Sequence, residues 1–215
     1  INMKKNKVKG YTLIEVLTTL VIASIVSIGM YSVFTKATND IKNETVMLDT
    51  KNYASNALKE ISEDMRRADN IDCDKIGDFT TINIDAISID SSGQEEVETI
   101  RYYQNGNLIY RYSSIDGTRP LHIYGDRWLK NDQEFWDLGL LLTCVEKPTD
   151  ASPSEVRDFT YDVIIDINIQ SKTDLNYRNH YKAYRRVFAF NKFVIEKASR
   201  FKLENITKDL YFSHR

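Results

Sequence analysis

The hydrophobic pattern of the chain divides it into three stretches. Lys4, Lys5, Lys7 and Lys9 stand close together at the start, and the 20 residues from Val16 to Thr35 then carry no charged side chain. As an α-helix such a run is about 30 Å long, enough to cross a hydrocarbon core. Basic residues ahead of it belong on the cytoplasmic side, which places the rest of the chain outside. From Lys36 to Ala68 good helix formers continue without proline. Ala54, Leu58, Ile61, Met65 and Ala68 recur at helical spacing and predict an amphipathic seam. Glu44 and Lys51 fall on the same seam upstream. Burial against a globular domain is therefore predicted for the outer part of the helix, with the inner part left to pack against other helices.

Beyond Ala68 the period changes to two. Thr80 to Ile84 and Ala86 to Asp90 alternate as two short strands. Val97 to Gln104 and Asn107 to Tyr112 flank Asn105-Gly106, the strongest hairpin signal in the chain, predicting a type I′ turn. Further strands are predicted at Leu138 to Val145, Phe159 to Ile169 and Ala183 to Phe190, with loops around Asp116 to Pro120 and Lys147 to Pro153. Residues 191–215 form a C-terminal extension in which Val194, Ala198 and Phe201 hint at a helix. One long helix followed by many antiparallel strands gives an α+β fold. The organisation read from this pattern is a lysine-rich start at 1–10, 11–35 membrane helix, 36–68 amphipathic helix, 69–190 β-rich domain and 191–215 extension.

Composition narrows the function. With 29 Lys and Arg against 31 Asp and Glu in 215 residues, no overall field points to nucleic acid or to an acidic partner. Thirteen Tyr and nine Phe beside only eight Gly and three Pro suit a strand-rich domain. Cys73 and Cys144 either close one disulfide, as an exported domain allows, or remain two buried thiols. His122, His180 and His214 lack zinc-ligand spacing, and no glycine-rich phosphate loop occurs. The chain thus reads as no enzyme, with neither cofactor nor metal site. Asp72-x-Asp74-x-Ile76-Gly77 has the outline of a calcium loop, but Ile76 occupies a ligand position and Asn83 stands where a bidentate Glu is required. It reads as a solvated acidic loop. Tyr177 to Arg186 interleaves aromatics with Arg178, Lys182, Arg185 and Arg186, the composition of a single-strand nucleic-acid surface. The competing reading, a loop entering a strand with cations on one face, carries more weight in a chain of near-neutral charge.

One residue fits neither a secretory signal nor a plain membrane anchor. Glu15 places a carboxylate at the membrane end of the apolar helix, where burial at the bilayer centre would cost on the order of 3 kcal/mol. Lys9-Gly10-Tyr11-Thr12-Leu13-Ile14-Glu15-Val16-Leu17 resembles the prepilin cleavage and methylation motif, a basic leader ending in Gly before Phe-Thr-Leu-Ile-Glu, with Tyr11 in place of the usual Phe. The resemblance implies that prepilin peptidase cuts between Gly10 and Tyr11 and methylates the new amine. Tyr11 and Glu15 are four residues apart and share a helical face. A buried pair between Glu15 and its own amine, or that of a neighbouring subunit, would fix register more than it adds stability. Gly10 leaves the scissile backbone unhindered.

Two further stretches are similar to the J-type minor pseudopilins and W-type minor pilins. Leu58 to Ala68 ends in Asp64-x-x-Arg67-Ala68, and the hairpin carries Tyr102, Leu108 and Arg111, with Tyr110 intervening before the arginine. The implied function is a minor pilin or pseudopilin of a type IV pilus, secretion or competence filament, acting in its initiation or at its tip. Its implied partners are other pilin subunits, prepilin peptidase, the inner or cytoplasmic membrane and the pilus assembly platform. The implied location is a single-pass membrane precursor that moves into a surface filament. Two alternatives stand beside it: a binding module displayed on the filament, for DNA or a surface partner, and an anchored extracellular protein that never polymerises.

Overall fold

The computed structural model describes residues 12–76, 79–89, 93–121, 136–148, 150, 154–172 and 177–199. The leader, the Gly10–Tyr11 pair, His122, His214 and residues 200–215 lie outside the described residues. The chain divides into two compact units, Ile1–Val46 and Met47–Arg215.

Helix α1, Leu13–Arg67, is continuous and 55 residues long. In the first unit, every described residue from 12 to 37 is exposed, including Leu13, Ile25, Ile28 and Phe34. In the second unit the same helix has a buried seam, with Ala54, Leu58, Ile61, Met65 and Ala68 all 5% exposed or less and Tyr53 and Ala57 beside them.

Two antiparallel sheets follow. The first has the order β1-β2-β3-β4-β5: Asn70–Ile76, Phe79–Ile89, Glu95–Asn105, Leu108–Ser113 and Gly117–Pro120. The second has the order β6-β7-β8: Trp136–Glu146, Thr160–Ser171 and Arg178–Phe188. A 3₁₀ turn, Ser154–Phe159, leads into β7. A short helix, α2, occupies 190–199. The α+β architecture thus has a helix packed on a sheet. Tyr53 on α1 accepts the Ile109 N–H of β4 at 2.9 Å, beneath a sheet face of Ile82, Ile84, Ala86, Ile100 and Tyr102. The second sheet buries Leu138, Leu140, Leu142, Val163, Ile165, Ile167, Ala183 and Val187.

Several predicted boundaries move, each for a local reason. The acidic stretch at Asp72 is not a loop: it lies in β1, paired with β2 from Asn70↔Asp85 to Ile76↔Phe79, with Ile71 buried beneath it. The two short strands predicted between Thr80 and Asp90 are one, because Asp85 is satisfied where it stands, accepting the Thr99 hydroxyl at 3.1 Å. The hairpin turn lies one residue later than predicted. Asn105 pairs with Leu108, so Gly106 and Asn107 form the turn. Gly106 has φ 61° and is the only one of the two with positive φ, which is the type II′ pattern and not type I′. Asp116 to Pro120, predicted as a loop, contributes β5, an edge strand that ends on Pro120, where the missing N–H costs least. Strand β8 starts at Arg178, five residues before the predicted Ala183, since its first cations alternate outward.

Candidate functional site: the start of the apolar helix and the lock at its end

Thr12 precedes the first helical residue, and three hydrogen bonds tie it to Glu15. The Thr12 N–H and hydroxyl both donate to Glu15 Oε2, at 2.9 and 3.0 Å, and the Glu15 N–H donates to Thr12 Oγ1 at 3.3 Å. This is a capping box, reciprocal satisfaction of orphan donors at a helix start. Its signature, Thr-x-x-Glu ahead of an apolar run, was legible in the sequence, where Thr12 was read only as a motif position. The helix also satisfies its own hydroxyls. Thr18, Thr19, Ser24, Ser27 and Thr35 donate to carbonyls one turn back, at 2.9, 2.7, 2.8, 2.7 and 2.8 Å. These bonds let polar residues sit in an apolar helix without bare groups. What remains unsatisfied is apolar surface. The helix is long and apolar enough to cross a membrane, and among the described residues none of that stretch is buried. Such surface demands a cover, either lipid or other helices.

The far end of α1 is held by a buried ionic network. Asp64 Oδ2 accepts the Tyr102 hydroxyl at 2.5 Å and Arg111 Nε at 2.9 Å, and its Oδ1 accepts Arg67 Nε at 3.0 Å. Glu98 Oε1 accepts Arg111 Nη2 at 3.2 Å and the Ser113 hydroxyl at 2.8 Å, while its Oε2 accepts Arg67 Nη2 at 3.1 Å. Glu60 pairs with Arg119 at the rim. Asp64, Glu98 and Arg111 are all buried. Charges taken out of water are tolerated only when each is paired and its remaining positions are hydrogen-bonded, as they are here. Burial, reinforced by the Asp64 charge, pushes the Tyr102 hydroxyl far up. Burial, opposed by the Ile109 N–H and aided by Tyr110, pushes Tyr53 up to about 12. The two stretches similar to the J-type and W-type subunits therefore meet: Asp64 and Arg67 come from the helix end, Tyr102 and Arg111 from the hairpin. That they bind one another could not be read from their separate spacings.

Cys73 on β1 and Cys144 on β6 are joined as a disulfide, with their Cα atoms 5.8 Å apart. The bond ties one sheet to the other. Gln104 adds a second tie, donating to Leu140 O of β6 and accepting the Leu142 N–H at 3.2 Å. Its carboxamide thus pairs with the edge of β6 as a peptide group would.

The aromatic and basic stretch is divided by the pleat of β8. Arg178, Lys182 and Arg186 alternate on the exposed face, whereas Arg185 lies on the opposite face with Ala183 and Val187. Arg186 is engaged by Asp162 at 2.8 Å and by Asp150 at 2.7 Å, and His180 meets Asp166 at 2.7 Å. Lys182 is registered opposite Asp166. The Arg186 side chain holds the Asp162 carboxyl below its usual range. Arg186 is thus engaged by carboxylates and Lys182 lies opposite one, while Arg178 lies opposite Gln170, so the cations do not form an unbroken positive stripe.

Residues 5–31 match the family model described as the prokaryotic N-terminal methylation motif. The chain therefore carries the prepilin-type cleavage motif, on a segment that leads into an exposed apolar helix. This supports a type IV pilin-like or pseudopilin-type subunit, anchored in the membrane by its N-terminal helix. Comparison with curated proteins and with solved structures gave no match.

Proposed function

We propose that the chain is a minor pilin or pseudopilin, working in the initiation or at the tip of a type IV pilus or related filament. The observation that carries this reading is Glu15, held by the capping box in the first turn of a helix whose apolar surface no described residue covers. In the membrane, the Thr12 N–H and hydroxyl compensate one carboxylate oxygen. On assembly, the amine freed at Tyr11 of this or a neighbouring subunit gives the carboxylate a charged partner, which sets axial register as helices pack side by side. The exposed apolar residues then move from lipid to protein contact at little cost, since packing and not hydrophobic transfer drives helix association there. The helix-end network and hairpin, built from the stretches similar to J-type and W-type subunits, favour a minor over a major subunit.

Prepilin peptidase, other pilin subunits and the assembly platform follow as partners. Display of DNA gains little from the β8 face, where Asp162 and Asp150 engage Arg186 and Asp166 lies opposite Lys182. Mass spectrometry of the mature protein from producing cells tests the reading. The expected chain begins at Tyr11 and carries one added methyl group; a chain that begins elsewhere identifies a membrane-anchored protein that does not enter a filament.

A further inference from the structure

The outward face of the five-stranded sheet holds a shallow cavity of about 570 Å³, within the range of small-ligand sites. It lies wholly in the second unit. Its polar lining is fixed before any ligand arrives. Asn83 Nδ2 donates to Asp74 Oδ2 at 2.9 Å, and Arg101 Nε donates to Asn83 Oδ1 at 2.9 Å, so three strands share one ladder. The register continues the row, Arg101 opposite Tyr112 and Tyr112 opposite Thr118. At strand spacing, Asn83 to Thr118 covers about 14 Å. Tyr103 stacks on Tyr110 with ring centroids 5.7 Å apart, and both Tyr103 and Tyr112 line the cavity. Among the described residues neither of these two hydroxyls has a hydrogen-bond partner, and the Arg101 Nη groups have none. Gln104, also in the lining, is already engaged with β6 and serves as wall.

The chemistry of this lining selects a ligand class. One carboxylate and one guanidinium, linked through Asn83, leave it without net charge, which removes the unpaired cations that a polyanion requires. Asp74 and Arg101 put two charged groups in the lining, whereas the centre of a protein interface is depleted of charge. Tyrosine rings offer an apolar face with a polar tip, and Asp, Asn and Arg offer planar forks whose geometry fits adjacent hydroxyl groups. Apolar C–H faces alternating with hydroxyls are the surface of a sugar ring. We propose that this face binds a neutral oligosaccharide, with Tyr103 and Tyr112 as the platform and Asp74, Asn83 and Arg101 as the hydroxyl-binding ladder. Ordering of the ladder in advance lowers the cost of binding. The proposal does not depend on processing at Gly10, so the two readings fail separately.

The test is calorimetric titration of the full chain, held in a detergent without sugar headgroups, with neutral tetrasaccharides of glucose, N-acetylglucosamine, mannose and galactose. At least one is expected to bind saturably with a Kd of about 1 mM or tighter. Tyr112→Ala and Arg101→Ala should each weaken that binding by about tenfold or more. Their melting temperatures should stay at the parent value, and Arg178→Ala on the other sheet should bind normally. If either variant melts early, Tyr112→Thr, the residue already carried opposite it at Thr118, repeats the test. Absence of saturable binding by all four sugars would overturn the proposal, as would binding that survives both substitutions, or tighter binding of single-stranded oligothymidylate at the same residues.

Discussion

The two units of this chain satisfy their polar groups in opposite ways. In the described part of Ile1–Val46 the side-chain bonds that shape the helix are local: Thr12 with Glu15, and the hydroxyls of Thr18, Thr19, Ser24, Ser27, Thr35, Thr38 and Thr45 with carbonyls one turn back. In Met47–Arg215 the decisive bonds are distant, with Asp64 reaching Tyr102 and Arg111, and Cys73 reaching Cys144. The described helix of the first unit meets these polar groups from within itself but leaves its apolar side chains exposed. The second buries a core of its own between helix and sheet. A segment of the first kind closes its bonds within one helix and leaves its apolar surface for a surrounding to cover. A segment of the second kind is stable only when its parts meet.

That contrast can be broken most forcefully at the network. Arg111→Ala leaves the buried Asp64 and Glu98 with only the half-exposed Arg67 between them, a loss of about 3–5 kcal/mol in the stability of the second unit. Chemical denaturation followed by near-ultraviolet circular dichroism should show it, while helicity of the first unit in detergent should stay unchanged. Reduction of Cys73–Cys144 should cost the second unit about 2–5 kcal/mol by releasing a long loop of the unfolded chain. Denaturation with and without reductant measures it, again with no change in the first unit. Thr12→Ala should act only on the first unit, and weakly. Loss of the cap costs about 1 kcal/mol of helix start, seen as faster amide exchange in the opening turn with the melting temperature of the second unit unaltered.

How far each unit was legible follows from the same contrast. The apolar run, the lysines and Glu15 are local signals, and the match at residues 5–31 and the exposed helix bear out the motif and the helix they predicted. The seam from Ala54 to Ala68 was legible because helical spacing reports burial directly. Where the reading slipped, a partner distant in sequence decided the outcome. Asp72 and Asp74 have the composition of a loop, yet β2 offers β1 a full ladder. Asp116 to Pro120 has turn residues, yet β4 had an open edge. The hairpin was found, but its register was set by the pairing of Asn105 with Leu108 and shifted the turn onto Gly106 and Asn107. For the candidate site, Glu15 was singled out while its clasp by Thr12 was not. The helix-end and hairpin stretches were noted separately, since nothing in linear spacing says that Tyr102 and Arg111 converge on Asp64.

The central claim is that the first unit is an assembly element docked through Glu15. Its most direct test is Glu15→Ala in cells that produce the filament, with processed subunit and filament-incorporated subunit quantified side by side. The account predicts normal cleavage after Gly10 and loss of incorporation, with the processed subunit left in the membrane. Incorporation of the variant at the parent level would contradict it.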